Sequence, residues 1–123
     1  MPGQHPFRQR VQKAAAGGTF DEVRFGPILE NRLYVIWRVA VEDETSAPTG
    51  DIRAYVDGHG YTHWELEQES PAAATLYWEN DRFYLAQGES LVARFTGATA
   101  GDVLSLYVEG WWMEPQEWMG LIA

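Results

Sequence analysis

The chain reads as an all-β protein, a two-sheet sandwich of jelly-roll or Greek-key type. Three observations predict this class. Short apolar runs alternate with period two, and turn signals separate them at close to the 8–12-residue spacing of sandwiches and barrels. No segment carries a convincing helical apolar stripe. With 123 residues, 46% of them hydrophobic, there is material for one packed core but not for two.

Taken in order, residues 1–20 predict a basic extended arm. They hold Arg8, Arg10 and Lys13 and no acid, a local charge of +3. Two prolines and AAAGG interrupt the segment, and the glycine pair stops the single helical turn that VQKAAA could form. Such an arm is either a loose terminus or a segment ordered on a neighbouring subunit.

From Phe20 onward the text changes to strands, and 21–113 is the expected β-sandwich domain. RLYVIWRVAV alternates over ten residues, with Leu33, Val35, Trp37, Val39 and Val41 on one face and Tyr34, Ile36, Arg38 and Ala40 on the other. EDETSAPTGD is a solvated loop. DIRAYV sends Ile52, Ala54 and Val56 one way. DGHG is a turn, because its glycines permit positive φ. YTHWELEQE then places Trp64 and Leu66 inward and Glu65, Glu67 and Glu69 outward. TLYW, RFYLA, SLVARF and VLSLYVEGWWM complete seven or eight strands, joined by END, QGE and GATAGD. Residues 114–123 form an apolar C-terminal tail.

Charge narrows the function. The net value is −9, and residues 21–123 alone carry −12, from 6 basic and 18 acidic residues. An acidic body repels phosphate backbones, so general nucleic-acid binding is not expected. MPGQHPFRQRVQKAAAGG lacks the apolar run of a secretory signal, and nothing approaches the roughly 20 apolar residues of a membrane span. The expectation is a soluble protein made in the cytoplasm. With no cysteine, disulfides and thiolate metal sites are excluded.

Motifs for chemistry are sparse. His59 and His63, four apart with Asp57, Glu65 and Glu67 nearby, would suit zinc on a helix, but here they straddle a turn and a strand. Glu65, Glu67 and Glu69 could serve a glycosidase, yet three acids at i, i+2 and i+4 are also simply the wet side of a sheet. Glu42, Asp43, Glu44 and Asp51 could ligate calcium through oxygen, without EF-hand spacing. There is no nucleophile elbow and no phosphate loop. The expectation is no enzyme, no metal and no cofactor.

The aromatic residues remain. Trp37, Trp64 and Trp78 sit mid-strand, where core packing is the first expectation. Trp111 and Trp112 are adjacent, and neighbouring strand residues point to opposite faces, so both cannot enter one core. With Trp118, Met119, Leu121 and Ile122 they make an apolar terminus that either caps its own sandwich or meets another chain. An indole buries about 150–250 Å², worth roughly 4–6 kcal/mol at about 25 cal/mol per Å² before ordering costs.

FYLAQGESLVARFTGATAGDVLSLYVEG resembles the closing strands of small all-β accessory proteins of tailed-bacteriophage virions. The shared pattern is an apolar strand, a Gly-Glu turn, a second strand and a Gly-Ala-x-x-Gly-Asp turn into the last strand. The likeness spans Arg32 to Gly110 and is sharpest over Phe83–Gly110. The resemblance implies a non-enzymatic structural protein of the virion, a capsid decoration or cement protein bound to the major capsid protein or other virion subunits. It also implies a homo-oligomer using terminal contacts. Phe7, Arg8, Arg10 and Lys13 of the arm and Trp111, Trp112, Trp118, Met119, Leu121 and Ile122 of the terminus are then the expected interface. A neck or tail protein is one alternative. A carbohydrate-binding sandwich, stacking sugar on Trp111, Trp112, Tyr55 or Tyr61 with His59, Asp57 and Glu65 as polar partners, is another, and a cupin-type metalloenzyme on His59 and His63 a third.

Overall fold

The computed structural model describes residues 4–58 and 61–114, with only the backbone of Tyr61. Nine strands and no helix occur among them: β1 (His5–Ala14), β2 (Phe20–Phe25), β3 (Leu33–Asp43), β4 (Ile52–Gly58), β5 (Tyr61–Gln68), β6 (Tyr77–Glu79), β7 (Phe83–Leu85), β8 (Ser90–Thr96) and β9 (Val103–Met113).

The antiparallel pairings nest inside one another. β4 pairs with β5, β3 with β6 and β7, β2 with β8, and β1 with β9. The chain is therefore one long ribbon that turns back at the β4–β5 hairpin. Rolling this ribbon brings β9 beside β3 and β8 beside β4. Two sheets result, β1-β9-β3 with β6 and β7 on the far edge of β3, and β2-β8-β4-β5. This is the jelly-roll order that the strand text predicts, with β6 and β7 sharing one position.

Between the sheets lie Ile36, Val39 and Val41 of β3, Ile52, Ala54 and Val56 of β4, Leu91, Ala93 and Phe95 of β8, and Leu104, Leu106 and Val108 of β9. In β4, β8 and β9 they are alternate residues, as one-sided burial requires, and in β3 the alternation breaks once, between Ile36 and Val39. Among the described residues no tryptophan belongs to this core.

Two β-bulges account for the outward positions of Trp37 and Trp64 and correct the expected faces of β3 and β5. The β3–β9 register steps from Ile36↔Gly110 to Arg38↔Glu109 and leaves Trp37 unopposed. The extra residue inverts the phase, so Tyr34 and Ile36 point inward before it and Val39 and Val41 after it. In β5 the register steps from Ala54↔Leu66 to Tyr55↔Trp64, which leaves Glu65 unopposed and turns Trp64 outward while Leu66 stays buried. Trp78, opposite Ala40, faces outward as well. Trp37, Trp64 and Trp78 are 38%, 53% and 54% exposed, not core residues.

The segment expected as an arm differs too. Residues 5–14 are the edge strand β1, paired with β9 from His5↔Trp112 to Ala14↔Val103. An edge strand has one partner and one lightly covered inner face, so it needs few apolar residues. Phe7 and Val11 suffice here, both packed against the core, with Phe7 stacked on Phe25 at 5.7 Å. The turn after β1 is held by buried Asp21, which accepts from the backbone N–H of Ala16 (2.8 Å) and Gly17 (3.3 Å).

Candidate functional site

Of the expected interface, Phe7, Lys13 and Trp112 make contacts within the chain, while Arg8, Arg10 and Trp111 stand on the outer face of the β1-β9-β3 sheet. Phe7 points inward, edge-on to Tyr34 at 5.2 Å. Arg8 pairs with Glu109 at 3.1 Å, Arg10 with Glu44, and Lys13 with Asp21 at 3.8 Å. The +3 of this segment is thus matched locally by acids of the body. Glu44 also accepts from Ser105 and Gln12, and the Ser105 hydroxyl followed by Arg10 holds its carboxyl below the usual range. Trp112 stacks on His5 at 4.1 Å and lies under the Arg32 guanidinium at 3.7 Å. Trp118, Met119, Leu121 and Ile122 lie outside the described residues.

Around Arg8, Arg10 and Trp111 the structure assembles an aromatic and arginine mosaic on the outer face of the β1-β9-β3 sheet. Cross-strand register places Val35, Trp111 and Tyr84 in one row, Arg38, Glu109 and Arg8 in the next, and Ala40, Tyr107, Arg10 and Trp78 in a third. Trp37 bulges over the first row, its ring 5.0 Å from that of Trp111. Arg82 lies 5.3 Å from the Trp111 ring, Arg38 5.8 Å from Trp78, and Arg10 5.4 Å from Tyr107. Tyr84, like Trp78, is more than half exposed. Depressions of about 300 Å³, beside Trp37, and about 100 Å³, beside Tyr107, share Glu109 as a wall.

Arginines flanking rings gain cation–π attraction and keep donors available, and the rings offer apolar area. Tryptophan, tyrosine and arginine are also the residues that dominate protein interfaces. Strict alternation hid part of the face, because it assigned Trp37 to the core, whereas Arg8, Arg10 and Trp111 were in the expected interface. Two signals were available in the text: Arg38 follows Trp37 directly, and Trp78 sits in YWEND, too polar to be a core strand.

The outer face of the other sheet is a closed network. Tyr55 donates to Glu22 at 2.5 Å, Arg94 reaches the same carboxylate at 3.4 Å, and Arg24 pairs with Asp57 at 3.3 Å. The Tyr55 hydroxyl, and after it Arg94, pulls the Glu22 carboxyl below its ordinary range. Trp64 lies over Tyr55 at 4.9 Å.

The acidic motifs separate. Glu67 pairs with Arg53 at 2.9 Å. Glu65 leaves the expected row, because as the bulge residue it lines a hollow of about 370 Å³ with His63, Arg82, Tyr84 and Glu89. Burial, with Asp81 adding to it, pushes its carboxyl up. Asp43 is buried, Glu44 turns to Arg10 and Asp51 to Arg53, so no oxygen cage for calcium forms. His59 lies outside the described residues, and among the described residues no three His, Asp or Glu side chains group to hold a metal ion. No described helix is long and apolar enough to cross a membrane.

Fold and face define the chain as a jelly-roll β-sandwich with an aromatic outer surface. No protein-family model and no curated protein matches it. Among solved structures it is similar to the Drosophila NLP core, described for pentamer formation and histone binding (TM-score 0.44, 16% identity, 87% of this chain and 98% of that one). It is also similar to the exo-β-1,3-galactanase of Phanerochaete chrysosporium (TM-score 0.40, 13% identity, 85% of this chain and 29% of that one). A third likeness is to infectious bursal disease virus, Gt strain (TM-score 0.40, 14% identity, 89% of this chain and 32% of that one). The chain spans less than a third of the length of the last two.

Proposed function

We propose that the chain is a non-enzymatic assembly protein that docks on another protein through the outer face of its β1-β9-β3 sheet. In its most concrete form it is a virion accessory protein of the decoration or cement kind, carried by the major capsid protein. The observation behind this reading is that Trp37, Trp78 and Trp111 lie on one sheet face beside Arg38 and Arg82, outside a core complete without them. Exposed rings of this size in one patch mark interaction surfaces. The resemblance of Phe83–Gly110 to phage accessory proteins supplies the kind of partner, and many copies on one shell would multiply a modest contact.

A second reading, saccharide binding, is favoured by one observation. The two depressions about Glu109 set Trp37 and Tyr107 beside arginine and carboxylate groups, the mixture of apolar walls and a few polar grips that small-ligand sites use. One experiment separates them. Purified protein is mixed with shells of its own virion's major capsid protein and, in parallel, titrated with a panel of glycans. Saturable co-sedimentation with shells, lost in the Trp37→Ala/Trp78→Ala variant with its melting temperature unchanged, supports assembly. Saturable glycan quenching of tryptophan fluorescence without shell binding overturns it.

A further inference from the structure

Strand β1 ends its sheet with an open edge. Among the described residues it has β9 as its only partner. Just past the strand the Ala15 N–H donates to the Asp102 carbonyl at 2.8 Å, in step with the Ala14↔Val103 pairing. Bonded pairs alternate along an antiparallel ladder, so His5, Phe7, Gln9, Val11 and Lys13 turn their backbone groups to β9. Those of Arg8, Arg10, Gln12 and Ala14 point away from the sheet. Pro6 falls in this second set, where the N–H that proline lacks has no ladder bond to make.

Two surfaces flank the edge. On the outer face stand Arg8 and Arg10, in a strand with three cations and no acid, within a chain of net charge −9. Their pairs with Glu109 and Glu44 are open to solvent, the Arg8 side chain being 82% exposed, and such pairs hold weakly. On the inner face, Gln9 and Val11 wall a groove of about 360 Å³ that opens between the sheets where β1 and β2 meet. Phe25, Ile28, Leu29 and Tyr34 give it an apolar lining, with Arg24 and Glu30 as its charged residues. Leu29 is 76% exposed.

We infer that the β1 edge and this groove together bind an extended segment of a partner protein, with acidic residues at every second position and apolar residues between them. The segment adds to the sheet as a further strand, hydrogen-bonded to the outward backbone groups of Arg8, Arg10 and Gln12. Successive side chains of a strand face opposite ways. Its acids then lie beside Arg8 and Arg10, and its apolar residues lie beside Gln9 and Val11, over the groove. In strand addition the backbone bonds supply affinity and the alternate side chains supply selectivity. Charge excludes the β1 edge of a second copy, which would set cation against cation. The acidic edge strand β5 of a second copy lacks the apolar half of the pattern, because its Leu66 is buried in its own core. A foreign segment satisfies both halves. The inference is independent of the aromatic face and holds whatever that face docks on.

The probe is a short synthetic peptide alternating glutamate with valine, set against one alternating lysine with valine. Fluorescence anisotropy with the full-length protein should show saturable binding of the first, at least roughly tenfold tighter than the second and weaker as salt is raised. Gln12→Pro removes one outward N–H and leaves the β1–β9 ladder intact, so it should weaken binding at least about tenfold with the melting temperature unchanged. Arg8→Glu with Arg10→Glu should reverse the preference to the lysine peptide. Where Gln12→Pro lowers the melting temperature, the unaltered protein decides. Amide exchange at Arg8, Arg10 and Gln12 should slow at least roughly tenfold on addition of the glutamate peptide, and exchange at Gln9 and Val11 should not change. No saturable binding of the glutamate peptide, equal binding of both peptides, binding indifferent to either variant, or unchanged exchange at the three amides overturns the inference.

Discussion

The carboxyl groups of Asp43 and Asp102 face each other inside the end of the sandwich where β3 stops and β9 starts, and both are buried. Asp102 accepts from the Ser46 hydroxyl at 2.5 Å, and Asp43 accepts from the backbone N–H of Thr45 (3.1 Å) and Ser46 (3.2 Å). Burial pushes the Asp43 carboxyl up; the Thr45 and Ser46 N–H groups oppose this and Asp102 reinforces it. A carboxyl whose folded pKa exceeds its unfolded value stabilises fully below the unfolded value, and that contribution is lost as pH rises through the folded value. Asp43→Asn keeps an acceptor for both N–H groups and offers a donor to Asp102. It should raise the melting temperature at about pH 7 by a few degrees and leave it unchanged near about pH 4. Melts across that range check the sign, and an equal effect at both ends would contradict it.

Glu22 on the outer face of the β2-β8-β4-β5 sheet has the opposite sign. Its carboxyl is held low, chiefly by the Tyr55 hydroxyl, so its contribution is present above the unfolded value and disappears as pH falls through the folded one. Tyr55→Phe removes that hydrogen bond at a cost of about 1 kcal/mol near neutrality. The variant and the parent should converge in stability as the solution is acidified, which urea titrations at two pH values will show.

The strand text made the jelly roll legible because burial on one side forces period-two alternation, and the core residues of β4, β8 and β9 keep it. Where the text misled, one extra residue was responsible. A bulge at Trp37 or Glu65 changes no composition, yet it inverts every inward assignment on one side of it. β1 was missed for a different reason: an edge strand with one covered face needs only Phe7 and Val11, so its pattern is too sparse to separate from an arm. The aromatic face was legible only in part: Arg8, Arg10 and Trp111 were in the expected interface, but the bulge concealed that Trp37 stands beside Trp111.

The bulge makes deletion informative. Trp37 has no opposite residue in β9, so removing it joins Ile36 to Arg38 with their pairings and faces intact. Deleting Val39 instead shifts every residue on one side of it to the other face. The Trp37 deletion should fold, with a strand-type circular dichroism spectrum and a cooperative melt. The Val39 deletion should not.

Gly110 stands opposite Ile36 and Phe7, between the bulged strand and β1. A Cβ at this position would run into the carbonyl oxygen of Val35 and lie 3.0 Å from the Ile36 Cα. Both obstacles are backbone, held on each side by a ladder, and cannot swing away as the end of a side chain can. The bulge draws the β3 backbone against β9 here, and a residue without a side chain is what permits it. Gly110→Ala should therefore cost more than about 3 kcal/mol, in the range kept for backbone clashes and core disruption, although alanine is the smallest substitution available. Gly101→Ala makes the comparison, because a Cβ there meets nothing within 4 Å and only the positive φ of 88° opposes it. Its loss should stay near 1 kcal/mol. If denaturant unfolding gives the two variants equal losses, the close approach at the bulge is not what Gly110 provides.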